Sequence, residues 1–256
     1  MIRWSRLRRL ASVAAGPLVL YGCATHAVEF PPTDARGHIA ARAGRPGLVV
    51  AAPHAASDVG TGDIAAEIAR RTGFGLVVAS GFTTGADTRE SPARRYEVNR
   101  PREGTPGRPP SEETATEAAR RVYEAYERRV RETAQGPLRF YCEIHGNNHR
   151  DAAGRIEIAT VGISMEFALR LRTLAELIRD AHLRVHRQAP SLAVLIEPAD
   201  ALRYSASGAK RDGILRVPQR ALHIELPRAA RVEFQEVYTA ILADFIAQAV
   251  TLPEGR

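Results

Sequence analysis

The sequence is poor in cysteine, which limits how it can be stabilised. Among 256 residues there are two cysteines, Cys23 and Cys142. If Cys23 is the first residue of a lipidated mature chain, Cys142 has no partner and no internal disulfide can form. We therefore expect the stability to come from a buried core, with the thiol of Cys142 free and buried in an apolar strand.

Lysine and aromatic residues are also scarce, and this argues against a nucleic-acid-binding protein. Lys210 is the only lysine among 36 basic residues, and the arginines are spread along the chain. The formal charge is +7, but four of these charges are arginines within residues 1–22, which contain no acids. There is no stripe of alternating basic and aromatic side chains of the kind that binds single-stranded nucleic acid. We expect no nucleic-acid partner.

The first residues have the pattern of a targeting segment. A basic start, MIRWSRLRR, precedes the apolar run LASVAAGPLVLYG, which is too short to cross a bilayer as a helix. The run ends in Leu20-Tyr21-Gly22-Cys23, which resembles a bacterial lipoprotein signal. We expect residues 1–22 to be an export signal, Cys23 to be the lipidation site and residues 23–46 to be a tether. An ordinary signal cut near Ala24 and a short uncleaved anchor are alternatives, and all three place the mature protein outside the cytoplasm.

Residues 47–256 alternate apolar runs with amphipathic segments, which is typical of one α/β domain. Predicted strands cover 48–52, 75–81, 138–144, 156–159, 192–196 and 221–226. Predicted helices cover 111–134, 165–183 and 232–250, and another ends at Gly73. Long loops are expected over 82–110 and 203–216. The pattern predicts a three-layer fold in which a mixed, mostly parallel sheet lies between helices.

The stretch from Gly47 to Gly73 carries the first candidate site residues. A buried strand leads into a short loop that contains His54 and Asp58, and a helix follows. Ligands of open α/β sheets bind beyond the carboxyl ends of the strands, and an imidazole with a nearby carboxylate suits zinc. The alternative is structural: Asp58 caps the following helix, since Asp is a favoured N-cap, and His54 caps its strand.

Two more predicted strands end in residues of the same chemistry, His145 and Glu225. Two histidines and a carboxylate form a zinc set that leaves one position open for water, and Glu225 is suited to take a proton from that water. A single histidine at a strand end is more often structural, but the combination favours a catalytic site. If Asp58 only caps the helix, Glu143 is the second choice as ligand, because it lies on the same strand face as His145.

The segment PHAASDVGTGDIAAEIA, residues 53–69, resembles the opening motif of the poly-γ-glutamate hydrolase and N-formylglutamate amidohydrolase group. That group shares the fold of the zinc carboxypeptidases. The resemblance implies one zinc ion held by His54, Asp58 and His145, with Asp58 in the place of the usual glutamate. ALHIELPR, residues 221–228, is similar to the carboxypeptidase segment that ends in Glu-Leu-Arg, which implies Glu225 as general base. Pro227 interrupts this segment.

The same resemblance suggests how a substrate is held. Asn99-Arg100 matches in type the Asn-Arg pair that binds the substrate carboxylate in carboxypeptidases. The planar fork of arginine suits a carboxylate, so Arg100, with Arg95 as a second candidate, is expected to bind it. Asn147 follows a ligand directly and is a candidate to orient substrate or stabilise an oxyanion. The alternatives are a solvated arginine-rich loop and a simple turn.

Together these features predict an exported, lipid-anchored zinc amidohydrolase that cuts an amide bond near a free carboxylate. Its envelope location favours peptides, γ-glutamyl polymers or cell-wall peptides. The alternative is a non-catalytic envelope lipoprotein that keeps the fold as a ligand-binding or metal-binding module. A serine hydrolase is disfavoured, because neither Ser164 nor Ser205 lies in a Gly-x-Ser-x-Gly motif.

Overall fold

The computed structural model describes residues 24–29, 36–83 and 93–253. Its strands are β1 (Ala24–Glu29), β2 (Arg36–Arg42), β3 (Arg45–Ala52), β4 (Phe74–Thr83), β5 (Arg95–Glu97), β6 (Arg102–Gly104), β7 (Phe140–Gly146), β8 (Arg155–Val161), β9 (Ala193–Ile196) and β10 (Arg220–Leu226). Its α-helices are α1 (Thr61–Thr72), α2 (Glu117–Ala134), α3 (Met165–Leu183), α4 (Ser207–Asp212) and α5 (Gln235–Ala249). No helix within the described ranges combines the length and the apolar character that a membrane span requires.

All ten strands belong to one mixed sheet with the order β1-β2-β4-β3-β7-β10-β8-β9, and the β5–β6 hairpin extends from the end of β4. The four central strands β4, β3, β7 and β10 run parallel to one another. β2 and β8 lie antiparallel on either side of this group. The parallel centre brings the carboxyl ends of β3, β7 and β10 to the same edge.

Both faces of the central sheet are buried, as the continuous apolar run of β3 predicts. Leu48 and Val50 pack into a core cluster with α1, α3 and α5. Val49 and Ala51 point to the opposite face and pack into a second cluster with α2, because successive side chains of a strand alternate. The predicted three-layer α/β fold is therefore confirmed.

Helix ends follow from local capping. The side chain of Ser164 accepts a hydrogen bond from the backbone of Phe167, so α3 begins where the amphipathic pattern placed it. α2 begins later than predicted, because Thr116, and not Ser111, provides the side-chain cap by accepting from the backbone of Ala119. The segment Pro110–Glu112 forms a separate 3-10 turn.

The tether predicted for residues 23–46 is wrong over much of its length. Residues 36–42 form β2, which pairs with β4, and Ala24–Glu29 pairs in turn with β2. Ile39 on β2 is buried in the second core cluster. β2 lies near the edge of the sheet, and Ile39 is its one large apolar side chain. It therefore lacks the apolar run from which the other strands were predicted.

The predicted loops also contain short elements. The loop expected over 82–110 includes the β5–β6 hairpin, and the loop over 203–216 includes α4. The predicted signal, residues 1–22, and the predicted lipidation site Cys23 lie outside the described residues.

Candidate metal centre

The structure brings the predicted ligands and the predicted base together at the carboxyl edge of the sheet. β3 leads into a turn that contains His54 and Asp58, while His145 lies on β7 and Glu225 on β10. β7 and β10 are parallel neighbours in which Glu225 lies directly beside His145. These positions were predicted separately along the chain, and it is the strand order that makes them one site.

Three donor atoms converge on a common point. The Oδ2 atom of Asp58 is 3.8 Å from Nδ1 of His54 and 3.6 Å from Nδ1 of His145. The three side chains offer ligand atoms that all lie within 4.8 Å of one another. A tetrahedral zinc ion with bonds of about 2.1 Å holds its ligand atoms roughly 3.4 Å apart. The observed spacing therefore fits such an ion with only small side-chain movements.

Asp58 is not the cap of the following helix. The N-cap of α1 is Gly60, with φ of 91° and no side-chain hydrogen bond. The carboxylate of Asp58 instead accepts a hydrogen bond from the backbone N–H of Gly146 at 3.2 Å. Because Gly146 directly follows His145, this bond holds the two ligand-bearing segments together.

The cluster carries more negative than positive groups, which favours a cation. Four carboxylates surround three imidazoles: Asp58, Glu97, Glu143 and Glu225 around His54, His145 and His223. Burial alone would lower the pKa of His145, but Glu143, Asp58 and Glu225 outweigh it and raise that pKa to about 10. Without a metal, the site holds a proton on His145. The charge balance and the donor types both fit zinc.

Glu97 orients the first ligand and was not predicted. Its Oε2 atom lies 3.0 Å from Nε2 of His54, the ring nitrogen opposite the candidate metal position. Burial would raise the pKa of Glu97, but His54, Arg100 and Arg95 outweigh it and keep the carboxylate ionised. A carboxylate on the far nitrogen of a metal-binding histidine fixes the ring orientation. No local sequence pattern distinguishes Glu97 from other acids.

Glu143 has the corresponding place behind the second ligand. It is fully buried, and its Oε1 atom lies 3.4 Å from Nε2 of His145 and 2.6 Å from Nδ1 of His223. These three residues form a second possible metal group within the described part of the chain. However, the rings of His145 and His223 stack at 4.1 Å with an interplanar angle of 28°, so their in-plane lone pairs run side by side. Glu143 thus contacts two imidazoles, and of the two groups it is His54, Asp58 and His145 that all line the cleft.

The expected substrate-binding pair is only partly in the cleft. Arg100 lines a cleft of about 640 Å³ in front of the candidate metal position. Its guanidinium group donates two hydrogen bonds to Glu113, at 3.1 and 2.8 Å. Asn99 is buried behind the site and donates to Glu143 at 3.4 Å, so it differs from the expected substrate contact. Arg95 lines the cleft too, and it donates to Glu97 at 2.7 Å.

Asn147 lies beside the cleft and not within it. Its backbone N–H donates to the carbonyl of Leu226 at 3.0 Å, and its buried side chain has no hydrogen-bond partner among the described residues. It contributes to a separate cavity of about 290 Å³, together with Pro227 and Arg228. Beyond Pro227, the chain continues into a π-helical turn, Ala229–Glu233.

The start of the loop predicted over 203–216 also borders the cleft, a role that the sequence did not indicate. The backbone N–H groups of Arg203 and Tyr204 both donate to one oxygen of Glu157, each at 2.9 Å. Glu157 is fully buried on β8, where its other oxygen accepts from Arg155 at 2.6 Å. This buried carboxylate holds the side chains of Arg203 and Tyr204 at the cleft wall.

Arg231 is a further unpredicted residue of the site. Its side chain packs so closely on Gly146 that an added Cβ there would lie 2.5 Å from Nε of Arg231. The guanidinium group donates to the carbonyl of Val59 at 2.7 Å and to the side chain of Asn148. Arg231 therefore joins the loop after β3 to the loop after β7, and a larger residue at position 146 would displace its side chain.

No protein-family model matches the sequence, and no curated protein matches it. Among solved structures, the chain is similar to a bacteriophage poly-gamma-glutamate hydrolase, with a TM-score of 0.48 and 14% identity over 87% of this chain and 91% of that chain. The chain is also similar to bovine thrombin-activatable fibrinolysis inhibitor, solved with tick carboxypeptidase inhibitor. The TM-score is 0.40 and the identity is 9%, over 89% of this chain and 90% of that chain. For a metallo-carboxypeptidase from Burkholderia cenocepacia the TM-score is 0.38 and the identity is 11%, over 84% of this chain and 61% of that chain. These similarities concern the backbone fold alone. The chemistry of the site is therefore inferred from the side chains of this chain.

Proposed function

We propose that the protein is a zinc-dependent amidohydrolase that cuts an amide bond near a free carboxylate. The observation that carries this proposal is the convergence of His54, Asp58 and His145 on one point, with the carboxylate of Glu225 at the next strand end. A purely structural cluster does not need three donor atoms aimed at the same position beside an accessible cleft.

Each group of the site then has a chemical task. His54, Asp58 and His145 would hold one zinc ion, which when bound lowers the pKa of water and polarises a substrate carbonyl. Glu225 takes the proton of the attacking water and passes it to the leaving amine. Its Oε1 atom is 3.2 Å from Nε2 of His223, and its Oε2 atom has no hydrogen-bond partner among the described residues.

Substrates with a free carboxylate, such as glutamyl peptides, suit the basic wall of the cleft. Arg100 and Arg95 already donate to Glu113 and Glu97. Arg203 is 43% exposed, and the nearest acid with which it forms an ion pair is Asp151, at 4.0 Å. Arg203 thus adds a more weakly paired cation to the two arginines expected from the sequence, and the three together would bind the carboxylate.

The test combines metal content with hydrolysis. The purified protein should contain about one zinc ion per chain, and His54→Ala should lose it. Glu225→Gln should keep zinc and lose turnover across a panel of peptides and γ-glutamyl substrates. A folded protein that takes up no zinc contradicts the proposal. Zinc uptake without any hydrolysis supports the alternative, a non-catalytic metal-binding envelope protein.

We also propose that the protein is exported and anchored to a bacterial membrane through lipidated Cys23. The support is the N-terminal sequence alone, with its basic start, its apolar run and the cysteine that follows. Expression in a bacterial host with labelled palmitate should label the wild type and leave Cys23→Ser unlabelled. Equal labelling of both chains, or wild-type protein that stays in the cytoplasm, contradicts this proposal.

A further inference from the structure

A buried chain of polar side chains leads from helix α2 to the proposed general base. The hydroxyl groups of Tyr126 and Tyr141 lie 2.9 Å apart, and Tyr141 donates to Oε2 of Glu143 at 3.3 Å. The other oxygen of Glu143 is 2.6 Å from Nδ1 of His223, whose Nε2 atom is 3.2 Å from Oε1 of Glu225. All five side chains are buried. Four consecutive contacts therefore link these side chains, and in a buried setting such a chain restricts their movement.

The backbone sets this arrangement. In the parallel pair β7–β10, Glu143 lies beside His223 and His145 lies beside Glu225. Residues two apart on a strand face the same side, so all four side chains point into the site from two adjacent strands. The imidazole of His223 also stacks on that of His145 at 4.1 Å. His223 is thus held by Glu143 at its Nδ1 atom and by the stacked ring of His145.

The contact with His223 divides the two oxygens of Glu225 into different roles. Oε1 contacts His223, whereas Oε2 is buried and has no hydrogen-bond partner in the part of the chain that the structure describes. A carboxylate with no fixed neighbour would rotate, and either oxygen would face the reacting water only part of the time. General bases act efficiently when they are held within hydrogen-bond reach of the proton they take.

We propose that His223 is the positioning residue of the general base: Glu143 orients its imidazole, and its Nε2 atom holds Oε1 of Glu225 so that the carboxylate keeps one orientation beside the candidate metal position. This inference rests on the proposed role of Glu225 as base. In this assignment the ligands are His54, Asp58 and His145, and His223 stays paired with Glu143, whose Oε1 atom lies 2.6 Å from its Nδ1 atom.

Two substitutions separate the two contacts of His223. His223→Gln places an amide nitrogen near the position of Nε2 and keeps the contact with Glu225. His223→Asn places one near Nδ1 and keeps only the contact with Glu143. We expect both variants to bind zinc as the wild type does. The Asn variant should lose about 10- to 100-fold in kcat with KM unchanged, and the Gln variant should recover most of that loss. Equal kcat values for wild type and the Asn variant overturn the inference.

A second measurement does not depend on turnover. In the zinc-loaded full chain labelled with 15N-histidine, Glu225→Gln should shift the Nε2 resonance of His223, because Glu225 is its hydrogen-bond partner. The His223→Gln variant identifies that resonance by its disappearance. An Nε2 resonance unmoved by Glu225→Gln overturns the inference. If the wild type hydrolyses nothing but the resonance shifts, the proposed hydrolase function fails while the contact between His223 and Glu225 is established.

Discussion

His145 faces two environments with its two ring nitrogens. Nδ1 is 3.6 Å from Asp58 on the side of the candidate metal, and Nε2 is 3.4 Å from the buried Glu143. Burial opposes a charge on the ring, but the carboxylates outweigh burial and raise its pKa to about 10. A histidine must lose this proton before it can bind a metal through that nitrogen.

Zinc binding near pH 7 should therefore release about one proton. Calorimetric titrations of zinc into the metal-free protein, in buffers with different ionisation enthalpies, measure this number directly. The His145→Gln variant lacks both this ligand and this proton, so it should show neither tight zinc binding nor the proton release. Zinc binding by the wild type without proton release would contradict a protonated His145.

The same pKa predicts how the stability of the metal-free protein depends on pH. Because the pKa in the folded state lies above the ordinary value of 6.5, the stabilising contribution of protonated His145 is fully present below about pH 6.5. It decreases as the pH rises towards about 10. Urea unfolding of the metal-free protein should show this loss, and the zinc-loaded protein should not share it. If the free energy of unfolding of the metal-free protein does not change with pH over this range, protonated His145 does not contribute to stability.

Glu97 should affect metal affinity without binding the metal. Glu97→Gln removes the charge beside Nε2 of His54, and second-sphere carboxylates of this kind contribute about 10- to 100-fold to affinity. Competition with a chelator measures the zinc affinity. Glu112→Gln is the matched control, because Glu112 is a half-exposed acid in the 3-10 turn. Equal affinities for the two variants would show that Glu97 does not support the ligand.

The primary site residues were predictable, and their supporting residues were not. His54, Asp58, His145 and Glu225 each follow an apolar run, so the rule that ligands bind at carboxyl strand ends selects them. The role of Glu97 depends on a three-residue strand that pairs with the end of β4. No local pattern marks such a strand, and 29 acids in the chain offer many equivalent candidates.

At the scale of elements, β2 shows how a strand can form without an apolar run. It is held by backbone pairing to β4 and β1, and only one large apolar side chain, Ile39, enters the core. A strand of this kind reads as a polar linker from the sequence. Its assignment depends on the partner strand, which lies in a different part of the chain.

Ile39→Ala should therefore destabilise the fold by about 2–4 kcal/mol, the usual effect of truncating a buried isoleucine. His38→Ala is the control, because the neighbouring His38 is exposed on the other side of the strand. Midpoints of urea unfolding compare the two variants. A change below about 0.5 kcal/mol in Ile39→Ala would mean that residues 36–42 act as the tether first expected.

At the scale of the whole molecule, the sheet separates two core clusters that share its central strands. β7 contributes Cys142 to one cluster and Tyr141 to the other. Loss of either cluster removes one face of the same strands, so we expect the two layers to unfold together. Because Cys142 lies on this shared strand, the exposure of its thiol should measure the unfolding of both layers.

The thiol of Cys142 should react only when the protein unfolds. Burial and the nearby carboxylate of Glu143 raise its pKa well above the ordinary value, so the reactive thiolate does not form in the folded state. In a Cys23→Ser chain, alkylation should be negligible in buffer even near pH 9 and should follow the urea transition seen by circular dichroism. Rapid alkylation of the folded protein would contradict this core position.

The place of β10 in the sheet has a consequence for biosynthesis. β10 is the last strand in the sequence, yet it lies between β7 and β8, and it carries Glu225. A nascent chain that has not reached Arg220 leaves β7 and β8 with unpaired inner edges, so the sheet closes only when almost the whole chain has emerged. We therefore expect the central sheet to stay incomplete until translation has passed β10.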